Sequence, residues 1–242
     1  MNLTHQLSTL TTPALLLDEE KMMTNIARLR NRSILSNITL RPHLKTAKSV
    51  DIARKMLSSD TGPATVSTLR EAEVFFKAGI KDILYAVGIS PQKLPRICAL
   101  REEGCDLTVL LNSPEQAKAV VEAVRIHNIT IPALIEIDCD GHRGGLSPAD
   151  STLIDVGRIL HQGGSLLSGV LTHAGESYAV AGIEAHASFA ERERSAAVSA
   201  ANRLRNAGLP CPIVSNRVHS DGPCNTRRGG CNGSTRGSLH LL

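Results

Sequence analysis

From about residue 37 onward, short β-rich apolar runs alternate with amphipathic helical stretches, and that alternation confines the chain to one class of fold. The runs are Ile38 to Pro42, Ala64 to Ser67, Asp82 to Val87, Asp106 to Leu111, Pro132 to Asp138, Leu166 to His173 and Pro212 to Ser215. Strands separated by helices pair in parallel through βαβ crossovers, with the helices covering the sheet. The helical stretches carry their own punctuation. Over Ser113 to His127, Ser113 is placed to cap, Pro114 opens the first turn, and Ala119, Val120, Ala123 and Val124 share one face. Ala185 to Asn206 reads as a longer helix closed by Gly208 and Pro210. Ahead of the alternation, Pro13 to Asp18 reads as a short strand and Glu19 to Arg32 as a helix. Seven strands suit a doubly wound sheet and fall one short of a (β/α)8 barrel, so spacing alone leaves both open. Either fold binds its ligands at the carboxyl edge of the strands.

Composition removes several kinds of partner. Three Phe, two Tyr and no Trp in 242 residues give no stacking platform for single-stranded nucleic acid. The net charge of +4 hints at an acidic partner until it is located. Residues 216 to 242 hold Arg217, Arg227, Arg228 and Arg236 against Asp221, a local +3 that leaves the first 215 residues at +1. Neither nucleic acid nor a charged surface is therefore an expected partner. The longest apolar runs are four or five residues, as in Ala14 to Leu17, too short to span a bilayer. The first residues lack a cationic stretch followed by an apolar one, so the cytoplasm is the expected compartment. Six cysteines, at 98, 105, 139, 211, 224 and 231, form no C-x-x-C pair and read as reduced, mostly buried thiols.

Three clusters at strand ends carry chemistry. Arg41-Pro-His43-Leu-Lys45-Thr-Ala-Lys48 follows the first barrel strand. Its crowded cations disfavour an ammonium, and a neutral lysine attacks carbonyls; a solvated basic loop is the plainer alternative. Glu136-Ile-Asp138-Cys-Asp140-Gly-His142-Arg143-Gly-Gly follows another apolar run, with glycines that let backbone approach a ligand closely; a glycine-rich surface turn is its alternative. The third is Thr172-His173-Ala-Gly-Glu176-Ser-Tyr178, where one of only two tyrosines sits beyond a strand end.

Taken together, these motifs resemble the fold-type III pyridoxal-phosphate enzymes. Thr12-Pro13-Ala-Leu-Leu-Leu-Asp18 followed by a helix, then Arg41-Pro-His-x-Lys45-Thr, is similar to their opening. Glu136 to Arg143 and Gly169-Val-Leu-Thr-His-Ala-Gly-Glu-Ser-Tyr178 resemble, in matching order, the D-serine dehydratase and D-threonine aldolase branch. The resemblance covers roughly residues 10 to 215 and implies the barrel of the alanine racemase N-terminal kind over the doubly wound sheet. It implies pyridoxal 5′-phosphate as cofactor, with Lys45 forming the Schiff base, His43 and Arg143 lining the ring, and His173 with Tyr178 flanking its face or nitrogen. It further implies lysis of a D-β-hydroxy amino acid, by D-serine dehydration or D-threonine aldol cleavage. Amino-acid racemisation and non-catalytic cofactor binding are the alternatives. Intact relatives are expected to be homodimers and to hold zinc or manganese in a C-terminal β-domain.

After Ser215 the pattern stops, and residues 216 to 242 carry five Gly, four Arg and few apolar residues. The expected organisation is a barrel over residues 1–215, lacking its last strand, the β-domain and the metal ligands, then a non-native or disordered segment over 216–242, with lyase activity impaired. The codons of Asn216 to Thr226 can be chosen so that, one base on, they read I-G-S-T-P-T-A-H-A-T. That string resembles the phosphate-cupping segment of the family. A one-base frameshift near residue 216 is the expectation it raises.

Overall fold

The structure, a computed structural model, describes residues 7–141, 144–173, 182–218 and 236–241. Its first long element is α1 (Glu19–Ser36), which starts where the Asp18 carboxylate accepts the Lys21 N–H at 3.0 Å and stops at Asn37, left-handed at φ 53°. From there strand and helix alternate as the sequence predicts: β1 (Thr39–Pro42), α2 (Val50–Met56), β2 (Ala64–Val66), α3 (Leu69–Lys77), β3 (Asp82–Gly88), a 3-10 turn (Pro91–Lys93), α4 (Leu94–Glu102), β4 (Asp106–Leu111), α5 (Pro114–His127), β5 (Pro132–Ile137), α6 (Thr152–Gln162), β6 (Leu166–Thr172), α7 (Ile183–Asn206), β7 (Ile213–Val218) and β8 (Arg236–Leu241). Ser113 caps α5 in a reciprocal capping box with Gln116, with Pro114 in the first turn.

The strands form one parallel sheet in the order β1-β8-β7-β6-β5-β4-β3-β2. A single parallel bridge, His43 to Thr65, joins the two ends of that order and curls the sheet into a ring. Leu84, Leu110, Leu134 and Leu171, one from each of β3 to β6, form a buried cluster separate from the main core and fill the barrel. The larger cluster lies between the sheet and the helices, where alternate strand residues such as Ile83, Tyr85, Leu107, Val109, Ile135 and Ile137 meet Phe75, Val120, Val156 and Leu204. Gly169, at φ 145°, sits where β6 crowds β7: a Cβ there would lie 1.9 Å from the Ile213 carbonyl oxygen.

Two features differ from the sequence reading. The barrel is not one strand short among the described residues, because Arg236–Leu241, from the segment expected to be disordered, takes the eighth position between β1 and β7. Open edges on β1 and β7 leave rows of unpaired backbone groups that any extended segment satisfies, and Leu239 and Leu241 give this one a period of two too brief to read alone. Pro13 to Asp18 is not a strand: it pairs with nothing regular, and Leu15 is fully exposed.

Candidate active site at the barrel mouth

All eight strands run the same way, so the residues after each carboxyl end share one mouth. Lys45 lies in the turn between β1 and α2, half-buried. That turn closes when the Lys48 N–H donates to the Leu44 carbonyl at 3.0 Å, with Lys48 left-handed at φ 48°. It is tied to β2 as well, since the Leu44 N–H donates to the Thr65 carbonyl at 2.8 Å. His43 is buried, and both its ring nitrogens are engaged. Nδ1 accepts the Lys45 backbone N–H at 3.3 Å, and Nε2 lies 3.1 Å from Ser67 Oγ. Because Nδ1 accepts, the proton belongs on Nε2, which donates to the serine.

The cations expected to crowd Lys45 are neutralised elsewhere. Arg41 points the other way, to the amino end of β3, where Asp82 takes it in a two-pronged pair at 2.6 and 3.1 Å. Lys48 faces Glu71 at 3.7 Å, and the Glu71 side chain is only 11% exposed. The same Glu71 carboxylate accepts the N–H groups of Ser67 and Thr68, at 2.8 and 3.2 Å, in the capping box of α3. Repulsion from Arg41 and Lys48 therefore does not act on Lys45 as the sequence suggests. Side chains two apart on a strand share a face but not a height, and each cation found its own carboxylate.

The second cluster is divided between chemistry and architecture. Glu136 lies on the same face of β5 as Leu134, towards the barrel interior, and accepts from Asn112 Nδ2 at 3.4 Å. Asp138 Oδ1 accepts the amides of Asp140 and Gly141, at 3.1 and 2.8 Å, and so shapes a turn. Leu146 brings the loop back, donating to the Glu136 carbonyl and accepting from the Asp138 N–H, both at 2.9 Å. The glycines serve this loop's own approach to the strand. A Cβ on Gly145, at φ 134°, would lie 2.5 Å from the Asp138 nitrogen, and one on Gly144 would lie 3.5 Å from Glu136 Oε2. His142 and Arg143 lie outside the described residues, as do Glu176 and Tyr178 of the third cluster.

His173, one residue past β6, is half-buried at the same mouth. Beside it, Thr172 Oγ1 donates to the Ser215 carbonyl at 3.3 Å. Ser215 lies on the same face of β7 as Ile213, which packs on the barrel-filling leucines. Its hydroxyl is fully buried and has no hydrogen-bond partner among the described residues. Sequence reasoning missed Ser67, Asn112 and Ser215. Ser67 and Asn112 stand just beyond strand ends and Ser215 lies within β7, and Thr68-x-x-Glu71 is a legible capping signature that points at Ser67.

A half-buried amine, an inward carboxylate, an imidazole and an orphaned buried hydroxyl at one mouth suit a small polar ligand with a carbonyl for the amine. Among the described residues, no group of three or more His, Cys, Asp or Glu could hold a metal ion, and no helix is long and apolar enough to cross a membrane.

A family model described as alanine racemase, N-terminal domain, matches residues 17–217. The D-threo-3-hydroxyaspartate dehydratase of Delftia sp. (strain HT23) is 48% identical over 210 residues, which cover 86% of this chain and 55% of that one. Its solved structure superposes with a TM-score of 0.89, covering 96% of this chain and 61% of that chain. The D-serine dehydratase of Dictyostelium discoideum is 29% identical over 71% of this chain and 47% of its own. The D-threonine aldolase of Filomicrobium marinum superposes with a TM-score of 0.77 at 27% identity, covering 86% of this chain and 56% of that one. The chain thus spans about half the length of the curated relatives it matches.

Proposed function

The chain belongs to the alanine racemase N-terminal domain family, and from that premise we propose that Lys45 holds pyridoxal phosphate covalently at the barrel mouth for the lysis of D-β-hydroxy amino acids. One observation carries the reading. Lys45 stands on a turn fixed on both sides, by His43 to Ser67 and by Lys48 to Glu71. An amine on so fixed a turn, at the mouth shared by the strand ends, is placed where an aldehyde would meet it.

The donor set fits the cofactor. The orphaned Ser215 hydroxyl, buried at the level of the β6 end, is a polar group that a ligand's own polar atom would satisfy. Glu136, held by Asn112, and His173 supply a carboxylate and an imidazole for the ring side. His43, Arg143 and Tyr178 complete the ring-side set of this reading. Bound there, pyridoxal phosphate supplies an electron sink for a bond broken at the substrate Cα. Everything else falls to the chain. The leucine cluster below the mouth keeps water out from beneath, and the Asp138–Leu146 loop covers the Glu136–Asn112 pair through Gly144. Lys45 Nζ is the group placed to carry a proton to or from the substrate carbon.

Dehydration is preferred to aldol cleavage because the likeness to the Delftia dehydratase, 48% identical, exceeds that to the aldolase, 27% identical. A divalent metal beside the substrate hydroxyl belongs to the same resemblance. No ligand set for it exists among the described residues, and no step here uses one. The frameshift reading of residues 216–242 remains a proposal on the codon argument, and nucleotide sequence across that segment tests it.

To test the cofactor reading, the protein is mixed with pyridoxal phosphate, reduced with borohydride, digested and mapped by mass spectrometry. The pyridoxyl group is expected on Lys45. Label on another lysine, with Lys45 clean, overturns the assignment. Release of oxaloacetate from D-threo-3-hydroxyaspartate, rather than glycine, identifies dehydration.

A further inference from the structure

Between the β1 strand end and the β2 strand end runs a short chain of hydrogen bonds. The Lys45 backbone N–H donates to His43 Nδ1, His43 Nε2 donates to Ser67 Oγ, and the Ser67 backbone N–H donates to Glu71 Oε2 at 2.8 Å. Glu71 then closes the loop by facing Lys48, three residues beyond Lys45. We propose that His43 is a positioning residue: its imidazole, oriented by Ser67, fixes the backbone of Lys45 and so selects which lysine of the turn meets the cofactor.

A buried imidazole in its neutral form has one donor and one acceptor, and here each has one partner named by geometry. The Lys45 amide lies at the start of a turn whose first N–H groups have no helix to serve them, so the imidazole takes the part that a side-chain cap takes at a helix start. Remove the ring and that amide is orphaned in a half-buried turn. The Lys45 φ and ψ are then free to relax, and Lys48, whose amide stays held by the Leu44 carbonyl, becomes the competing amine. Asn at 43 keeps an acceptor within reach of the i+2 amide, as an Asx turn does, but cannot reach Ser67. Gln carries its amide one methylene further out, where it donates to Ser67 but holds no acceptor at the place of Nδ1 beside the Lys45 amide. Those two substitutions separate the two halves of the imidazole's work.

This inference rests on the cofactor reading above, and its test keeps the two apart. The full chain and its H43A, H43N and H43Q variants are exposed to pyridoxal phosphate, reduced with borohydride, and the ratio of label on Lys45 to label on Lys48 is measured. Thermal melting of each variant is followed in parallel. The expected result is a ratio unchanged in H43N and lowered about tenfold in H43A and H43Q, the factor that corresponds to about 1.4 kcal/mol, the scale of one orphaned buried amide. A merely structural histidine would lower the melting temperature of all three without moving the ratio. Equal ratios in all four proteins overturn the positioning role and leave the cofactor reading intact. No label on Lys45 in the unsubstituted chain overturns both. Independently of any variant, 15N shifts of the His43 ring in the unsubstituted protein are expected to show the proton on Nε2. A proton on Nδ1 overturns the inference by itself.

Discussion

Cys139 stands two residues beyond β5 with its thiol half-buried, and burial first, then the charges of Glu193, Asp140 and Asp138, push it up to about 12. The thiolate is the reactive form, so a thiol raised this far is almost wholly protonated at pH 8. Iodoacetamide should alkylate Cys139 at least about a hundredfold more slowly than a free cysteine at that pH, with the rate climbing only as pH approaches the raised value. A mass-spectrometric time course measures it, and rapid labelling at pH 8 would show that the carboxylates do not surround the thiol as described. The same scale explains what the sequence hid around Lys45. Its position after a strand and beside Pro42 is legible from residue order, as is the presence of His43. The direction of Arg41 is not, because a bidentate partner 41 residues away decides it. Spacing counts charges, whereas the structure assigns each one a partner.

Short helices at the mouth begin with caps, and one of these caps does more than start its helix. Thr68 Oγ1 accepts the Glu71 N–H at 3.0 Å while Glu71 accepts from Thr68, so the first turn of α3 and the Ser67 amide share a carboxylate. Thr68→Ala should destabilise the protein by about 1 kcal/mol in urea titration. It should also lower the Lys45 labelling described above, because a loosened Glu71 loosens Ser67 in turn. A loss of stability with labelling untouched would separate the cap from the site. At this scale most of the molecule is readable. Six of the seven strand runs end within two residues of the observed strands, because each is an apolar run flanked by turn residues. The helix over 114–127 is readable from Ser113 and Pro114. The misreadings share a cause. Pro13 to Asp18 has strand composition but no partner strand, and Arg236–Leu241 has little strand composition but two partners. Pairing is a tertiary fact, and a run of residues does not state whether an edge awaits it.

At the scale of the whole molecule, seven of the eight joins in the ring are ladders of at least three paired residues, while β1 and β2 are joined by the single bridge of His43 and Thr65. Closed barrels carry no edges, so the weakest join sets where one first appears. Here that join is also the ground on which Lys45 stands. The amide of Leu44, which donates to Thr65 across it, is therefore a natural reporter of how often the ring breathes. Its hydrogen-exchange protection should fall below that of amides in the β4 and β5 ladders, and should rise when pyridoxal phosphate is added. Protection equal to that of β4 and unmoved by the cofactor would mean that the ring opens elsewhere. If it opens here, the small molecule acts as a rivet through the seam, and occupancy of the mouth becomes part of what keeps the barrel shut.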